Sequence, residues 1–518
     1  MASATLEITR HNFSRTIFFV FSLVSVIFLA SCGGITGSLT SFTPPPVTSL
    51  SAADVTSLVQ AAAQAADPNT MVIAVVDRAG RVLGVYRKPA APSLVAGNFG
   101  AQVDANELAV SLARTGAFFS NDQAPLSSRT VRFISGIHFP PGISNAPNAA
   151  LYGIESTNRG CTLSTNYAAG KDVPPARSIT GATTGLGITT GKADLNDSDS
   201  NAVNPGGVPL FRNGNLVGGI GVAAVAPDVA EYAAYAAATT NGFGPTPAAP
   251  GVVFIGGVAL PFVNQTTRPA GVGAGSFTGS FVAGPSASPG PPPDGTLVTP
   301  VAGSLGGLSI SDVTQIINNA VATANTTRAV IRLPIGSSAR MAIAVSDLDG
   351  TIIGMYRMAD STVFSIDVAA TKARNVVYFS SGARIAADLT SVPVSTAVTN
   401  RTIGFGAQPF FPPGIDGTAA GPFFNLYQQD AANPCTQGFQ VAGPNQSGVV
   451  FFPGSVPLYR NGILVGGLGV SGDGVDQDDY VAAGGAAGFE APAAARADQV
   501  IIQGVRLPYL KFPTNPTN

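Results

Sequence analysis

MAIAVSDLDGTIIGMYRM, Met341 to Met358, is the stretch on which the fold turns, and MVIAVVDRAGRVLGVYRK, Met71 to Lys88, is nearly the same line earlier in the chain. In each, a run of apolar and small residues reaches an aspartate (Asp77, Asp347). A glycine-centred turn follows (Gly80, Gly350), and a second β-rich run ends in Tyr-Arg. Met341, Ile343 and Val345 alternate onto one face, the period of a strand. Asp349-Gly350 is a hairpin signal because glycine supplies the positive φ of a primed turn without strain. The unit is a β-hairpin, written twice.

Working outward, each hairpin follows a helix. Ser51 and Asp54 read as a capping box, with Val55, Leu58, Val59 and Ala62 on one face. Ser309, Asp312, Val313, Ile316, Ile317 and Ala320 repeat the device. After the hairpin comes a second helix, Glu107 to Phe119 or Asp367 to Phe379. RTVRFISGIHFPPGI (Arg129 to Ile143) then matches RTIGFGAQPFFPPGI (Arg401 to Ile415). A long loop carries one cysteine, Cys161 or Cys435. Asn213-Gly214 and Asn461-Gly462 mark a second hairpin, whose last strand holds Gly-Gly-x-Gly-Val. A helix and a short strand close each copy. The order predicts an α+β protein of two tandem domains, 49–263 and 306–512, each a mainly antiparallel sheet with flanking helices. The Gly/Ser/Pro-rich residues 264–305 read as a linker too poor in apolar surface to order itself, and 513–518 as a tail.

A chain of 518 residues exceeds one ordinary core. Hydrophobic residues at 45% are ample for burial, while charged residues are only 11% and the net charge is −2. Without a basic run, nucleic acid is not an expected partner. Arg10 and Arg15 precede an apolar segment, Ile17 to Ala30, too short for a stable membrane span. It ends in Leu29-Ala30-Ser31-Cys32-Gly33, which resembles a bacterial lipoprotein signal. The resemblance implies a signal peptide over 1–31, lipid on Cys32, and a Ser/Thr/Pro tether over 32–48. Gly33 after the cysteine points to the outer membrane of a Gram-negative bacterium. The plainer reading is an ordinary secretory signal.

AVSDLDGTIIGMYRMAD, IDVAATKAR and PGSVPLYRNGILVGGLGVSG in the second copy, with PGGVPLFRNGNLVGGIGV (Pro205 to Val222) in the first, resemble the GlcG/HbpS-like family, which includes the C-terminal domain of PduO proteins. The first copy departs where Leu112 replaces Lys372 and Ala223-Ala224 replaces Ser471-Gly472. The resemblance implies profilin-like domains that self-associate, here packed as an internal pseudo-dimer, and a link to haem or corrinoid binding.

Against that implication several residues are candidates for the cofactor. His138, the only histidine beyond the signal, offers an axial ligand; a packed loop histidine is the plainer reading, and Phe410 stands in its place in the second copy. Tyr86 with Arg87, and Tyr356 with Arg357, could supply a phenolate and a propionate fork, or simply end strands with a solvated charge. Lys372 and Arg374 face either the same groove or solvent. Asp473, Asp476, Asp478 and Asp479 read as helix-start acids rather than a calcium loop. The Gly-Gly-x-Gly segments lack the strand–glycine-loop–helix context of a nucleotide site and read as close backbone packing. Cys161 and Cys435 form either a bridge between the copies or two buried thiols. No nucleophile, base and acid come together, so no catalytic set is expected. The expected function is non-catalytic binding of haem or a related tetrapyrrole by a lipid-anchored envelope protein. The alternatives are an envelope interaction module that has lost its ligand, and a haem-degrading enzyme.

Overall fold

A computed structural model describes residues 49–97, 102–159, 161, 205–245, 253–433 and 435–517 of the chain. The expected signal, Cys32 and the tether lie outside the described residues. Helix α1 (Ala52–Ala65) starts at Ser51, whose hydroxyl accepts from the Asp54 amide while the Asp54 carboxylate accepts from the Ser51 amide at 2.8 Å. Two otherwise orphaned donors of the first turn are thereby satisfied. Then come β1 (Val72–Asp77), β2 (Val82–Arg87), a small hairpin of β3 (Leu94–Ala96) and β4 (Gln102–Asp104), α2 (Ala105–Phe119) and α3 (Ser128–Phe133). Strands β5 (Gly207–Arg212) and β6 (Asn215–Ala223), helix α4 (Pro227–Thr240) and the two-residue strands β7 (Phe254–Ile255) and β8 (Val258–Ala259) follow.

Next in the chain are β9 (Ser280–Ala283) and β10 (Gly295–Val298). Helix α5 (Ile310–Thr326), again opened by a capping box at Ser309 and Asp312, leads to β11 (Ala342–Ser346), β12 (Ile352–Arg357) and α6 (Phe364–Ser380). The remaining elements are α7 (Asn400–Gly406), α8 (Phe424–Ala432), β13 (Ser455–Arg460), β14 (Ile463–Ser471), α9 (Val475–Gly485), β15 (Ile501–Ile502) and β16 (Val505–Arg506).

Two five-stranded antiparallel sheets result, ordered β5-β6-β1-β2-β9 and β10-β12-β11-β14-β13. Asn213 and Gly214, like Asn461 and Gly462, all take positive φ, the signature of a primed two-residue turn. The first hairpin of each sheet differs from expectation. Gly350 has φ +81° but Asp349 is not left-handed, and the Gly350 amide donates to the Asp347 carbonyl at 3.0 Å. This is an ordinary turn closed by a glycine bulge, one residue longer than the primed turn that Asp349-Gly350 suggests.

Strand alternation divides the apolar residues between two faces. Ile73 and Val75 pack with α1 and α4, while Val72, Ala74 and Val76 face α2. In the second sheet Ile343 and Val345 pack with α5 and α9, and Ala342 and Ala344 face α6. The glycine segments of β6 and β14 allow α2 and α6 to come close. A Cβ on Gly221 would lie 2.0 Å from the Ala109 carbonyl, and one on Gly469 would lie 2.0 Å from that of Ala369.

Residues 264–305 correct an expectation, because they carry two strands rather than a bare spacer. β9 pairs with β2 and β10 with β12 in matching registers, Tyr86 opposite Phe281 and Tyr356 opposite Thr296. Composition misleads here because an edge strand is held by main-chain hydrogen bonds to a ready-made sheet edge and needs little apolar area of its own.

One apolar core runs through both halves. Phe119 stacks on Phe364 at 4.2 Å, and Ala109, Phe118, Ile366 and Ala369 belong to the same cluster. Asp360 bridges Arg78 and Arg332, both at 2.5 Å, and accepts from the Asp122 amide. Cys161 and Cys435 are joined in a disulfide with Cα atoms 5.5 Å apart.

Candidate functional site

The first half contains a cavity of about 510 Å³ at the end of its sheet. Leu108 and Leu112, one helical turn apart on α2, form one wall, and Val95 and Ala96 of the small hairpin form another. The floor is the end of β6, Val222 and Ala223, continuing through Ala224, Val225 and Ala226 into Pro227 and Ala230 of α4. Thr70 and Pro205 complete the lining. Ala224 has φ +65°, a left-handed conformation that costs a residue with a Cβ about 1–2 kcal/mol. In the first turn of α4 the Asp228 carboxylate accepts from the Val229 amide at 2.9 Å. Among the described residues, Thr70 is the only lining residue with a polar side chain. Such a half-open cleft lies within the size range of small-molecule sites, and among the described residues its lining places no charge against an occupant.

The same place in the second half is filled with charge. Gly221 lies against Leu112 and Gly469 against Lys372, each at 3.0 Å for an added Cβ, so the two side chains leave matching points of the two helices. Gly206 lies against Ala230, and Gly454 against Asp478. Where Leu112 and Ala230 bound the cavity, the Lys372 ammonium donates to Asp478 at 3.0 Å and to the Val470 carbonyl at 2.8 Å. It also lies 5.0 Å from the centre of the Phe452 ring. Asp473 pairs with Arg332 at 2.7 Å, and its carbonyl accepts from the Val330 amide, so residues around 330–332 cover this end of the sheet. Burial pushes the Asp478 carboxyl up to about 7 and the Lys372 ammonium down, each opposed by the other's charge.

This corrects the reading of Lys372 and Arg374 as groove or surface residues. Both are buried. Arg374 donates to the Gly350 carbonyl at 2.9 Å, as Arg114 does to that of Gly80, so each arginine braces the turn of its first hairpin. Arg357 is also buried rather than solvated, donating to the Pro293 carbonyl at 3.1 Å and to that of Ser361. Arg87 is held by Asn106 and the Ala91 and Pro92 carbonyls. Tyr86 is buried against Phe277, its hydroxyl accepting from the Gly279 amide at 2.5 Å. Tyr356 packs against the core of the second sheet. His138 is 2% exposed, and its Nε2 lies 2.8 Å from Asp416.

None of these residues lines the cavity, and they do not converge on one another. Asp476 and Asp479 flank Arg401 at 2.5 Å each, so the acidic bunch at α9 is answered by Arg332, Lys372 and Arg401. The residues missed by sequence reasoning are Leu108, Val225 and Ala230. Setting Leu112, Val225 and Ala230 beside Lys372, Asp473 and Asp478 would have exposed them, because three apolar residues stand where the other half has three charges.

No curated protein matches the chain. Among solved structures, a PduOC–haem complex is similar at 25% identity with a TM-score of 0.23, over 35% of this chain and 94% of that one. Protein ORFY of Klebsiella pneumoniae, assigned to the DUF336 family, is similar at 18% identity with a TM-score of 0.22, over 35% of this chain and 88% of that one. Residues 308–487, which span α5 to the end of α9, match the family described as haem degrading protein HbpS-like.

Proposed function

We propose that the chain binds a haem-related tetrapyrrole without transforming it, and that the seat is the apolar cavity of the first half. The cavity carries this reading: about 510 Å³ bounded by Leu108, Leu112, Val222, Val225 and Ala230. The match to the HbpS-like family and the likeness to a haem complex direct the choice of ligand class. The walls suit the macrocycle but not the iron, since no described lining residue is a histidine, cysteine, methionine or tyrosine. No step through iron is therefore derived. Among the described lining residues, Thr70 is the one side chain that could hydrogen bond to the ligand edge, and none is an acid or base that could move a proton.

In this reading the two halves are copies of one GlcG-like domain packed as a pseudo-dimer, over 49–263 and 306–512. The second copy has exchanged its ligand seat for the Lys372–Asp478 pair. The chain is an exported lipoprotein anchored through Cys32.

Haem titration of the full chain tests the proposal. Saturation at one ligand per chain, weakened about tenfold or more by Leu112→Phe, is the expected result. Absence of saturable binding would leave an envelope interaction module as the better reading. Conversion of the bound pigment to a bilin with reductant and oxygen would make the protein an enzyme. The intact mass of the membrane-extracted protein, with acyl chains on Cys32, tests the anchor.

A further inference from the structure

We infer that this cavity holds its ligand without reading the metal, so that a metal-free porphyrin is as good an occupant as haem. The inference rests on the proposed tetrapyrrole seat and goes beyond it by naming what is not read.

Three observations support it. First, none of the histidine or tyrosine ligands nominated from the sequence lines the cavity: Tyr86 lies under Phe277 with the Gly279 amide on its hydroxyl, His138 has Asp416 on Nε2, and Tyr356 packs against the core of the second sheet. Second, among the described residues the lining holds no cation to fork a carboxylate. An acidic ligand edge therefore stays in water, where its solvation is kept. Third, the one place where the fold puts charge at this level is the second half. There Lys372 pairs with Asp478 at 3.0 Å and Arg332 with Asp473 at 2.7 Å, so each cation already faces a carboxylate of this chain. Leu108, Leu112, Val222 and Val225 offer apolar surface to the ring, and burial of apolar area does not depend on the ion at the centre of a ring.

The test compares haem and metal-free protoporphyrin IX on the full chain. Absorbance follows the first ligand and porphyrin fluorescence the second. Leu112→Phe and Val225→Phe are run beside the wild type, and far-UV circular dichroism reports whether each variant is folded. Dissociation constants within about threefold of each other, and weakened together in either folded variant, support the inference. His138→Ala should leave both constants and the haem spectrum unchanged. Haem binding tighter than protoporphyrin by about tenfold or more, or a haem spectrum altered by His138→Ala, would overturn metal-blind recognition while keeping the tetrapyrrole seat. Failure of both ligands to saturate would overturn the seat itself.

Discussion

At matching points beside their glycine-rich strands, the two halves of the molecule solve the same packing problem with opposite chemistry. The first leaves a chamber walled by Leu112, Val225 and Ala230. The second fills the place with Lys372, Asp473 and Asp478, and closes it with Arg332. A sheet end ringed by close-packed glycines tolerates either solution, because the scaffold is held by main-chain approach and not by what sits between. The difference teaches that the contents of this place can differ at a few side chains while the sheet, its turns and its helix caps stay as they are.

The sharpest way to break the comparison is to remove one charge. Lys372→Met strands a buried Asp478 carboxylate and should lower stability by about 3–5 kcal/mol in denaturant unfolding. The double variant Lys372→Leu with Asp478→Ala should recover most of that loss, since exchanging a buried pair for apolar groups is often near neutral. It should also make the second half resemble the first, so a second ligand per chain in a haem titration is expected.

Cutting the link between the halves comes next. Cys161→Ser removes a cross-link spanning 274 residues of chain and should cost about 2–5 kcal/mol, read as a lower Tm that added thiol no longer changes.

Acidity should separate the halves further. Burial raises the Asp478 carboxyl to about 7 and that of Asp367 to about 6, from the usual 3.8. A carboxyl with a raised folded pKa stabilises fully below its unfolded pKa and loses that contribution as pH climbs through the folded value. Lys372, lowered by burial, acts with the opposite sign, adding stability as pH rises toward its unfolded value. The positions of Asp478 and Asp367 are held by Ala230 and Glu107 in the first half. Tm should therefore decline from about pH 4 to about pH 7, and the decline should shrink in the double variant; an unchanged slope would show that the pair is not its source. The smallest effect belongs to Ala224 beside the cavity. Ala224→Gly relieves its left-handed backbone and should add about 1 kcal/mol in denaturant unfolding.

Much of the frame was legible because it is local. Ser51 with Asp54, Ser309 with Asp312, and the two Asn-Gly turns each act within a few residues, and the structure forms all of them. What escaped is what depends on distant chain. Lys372 and Arg374 look solvated on a helix, yet their partners Asp478 and Ser447 lie 106 and 73 residues on. Strands β9 and β10 are visible only once the edges they complete exist. The cavity escaped for another reason: it is made of small and apolar residues that carry no signal unless set beside the charges that replace them.

The fifth strand of each sheet is drawn from the same short stretch of chain, from opposite directions. β9 returns to the sheet already passed, and β10 starts the one to come. The stretch thus belongs to both halves, and a boundary placed at the compositional edge near 264 would strip the first sheet of a strand. One placed near 305 would strip the second. Only between Gly284 and Asp294 can the chain be divided with both sheets whole. Anyone seeking to express the halves apart, or to ask whether one evolved from a free-standing protein, has a window of eleven residues in which to cut.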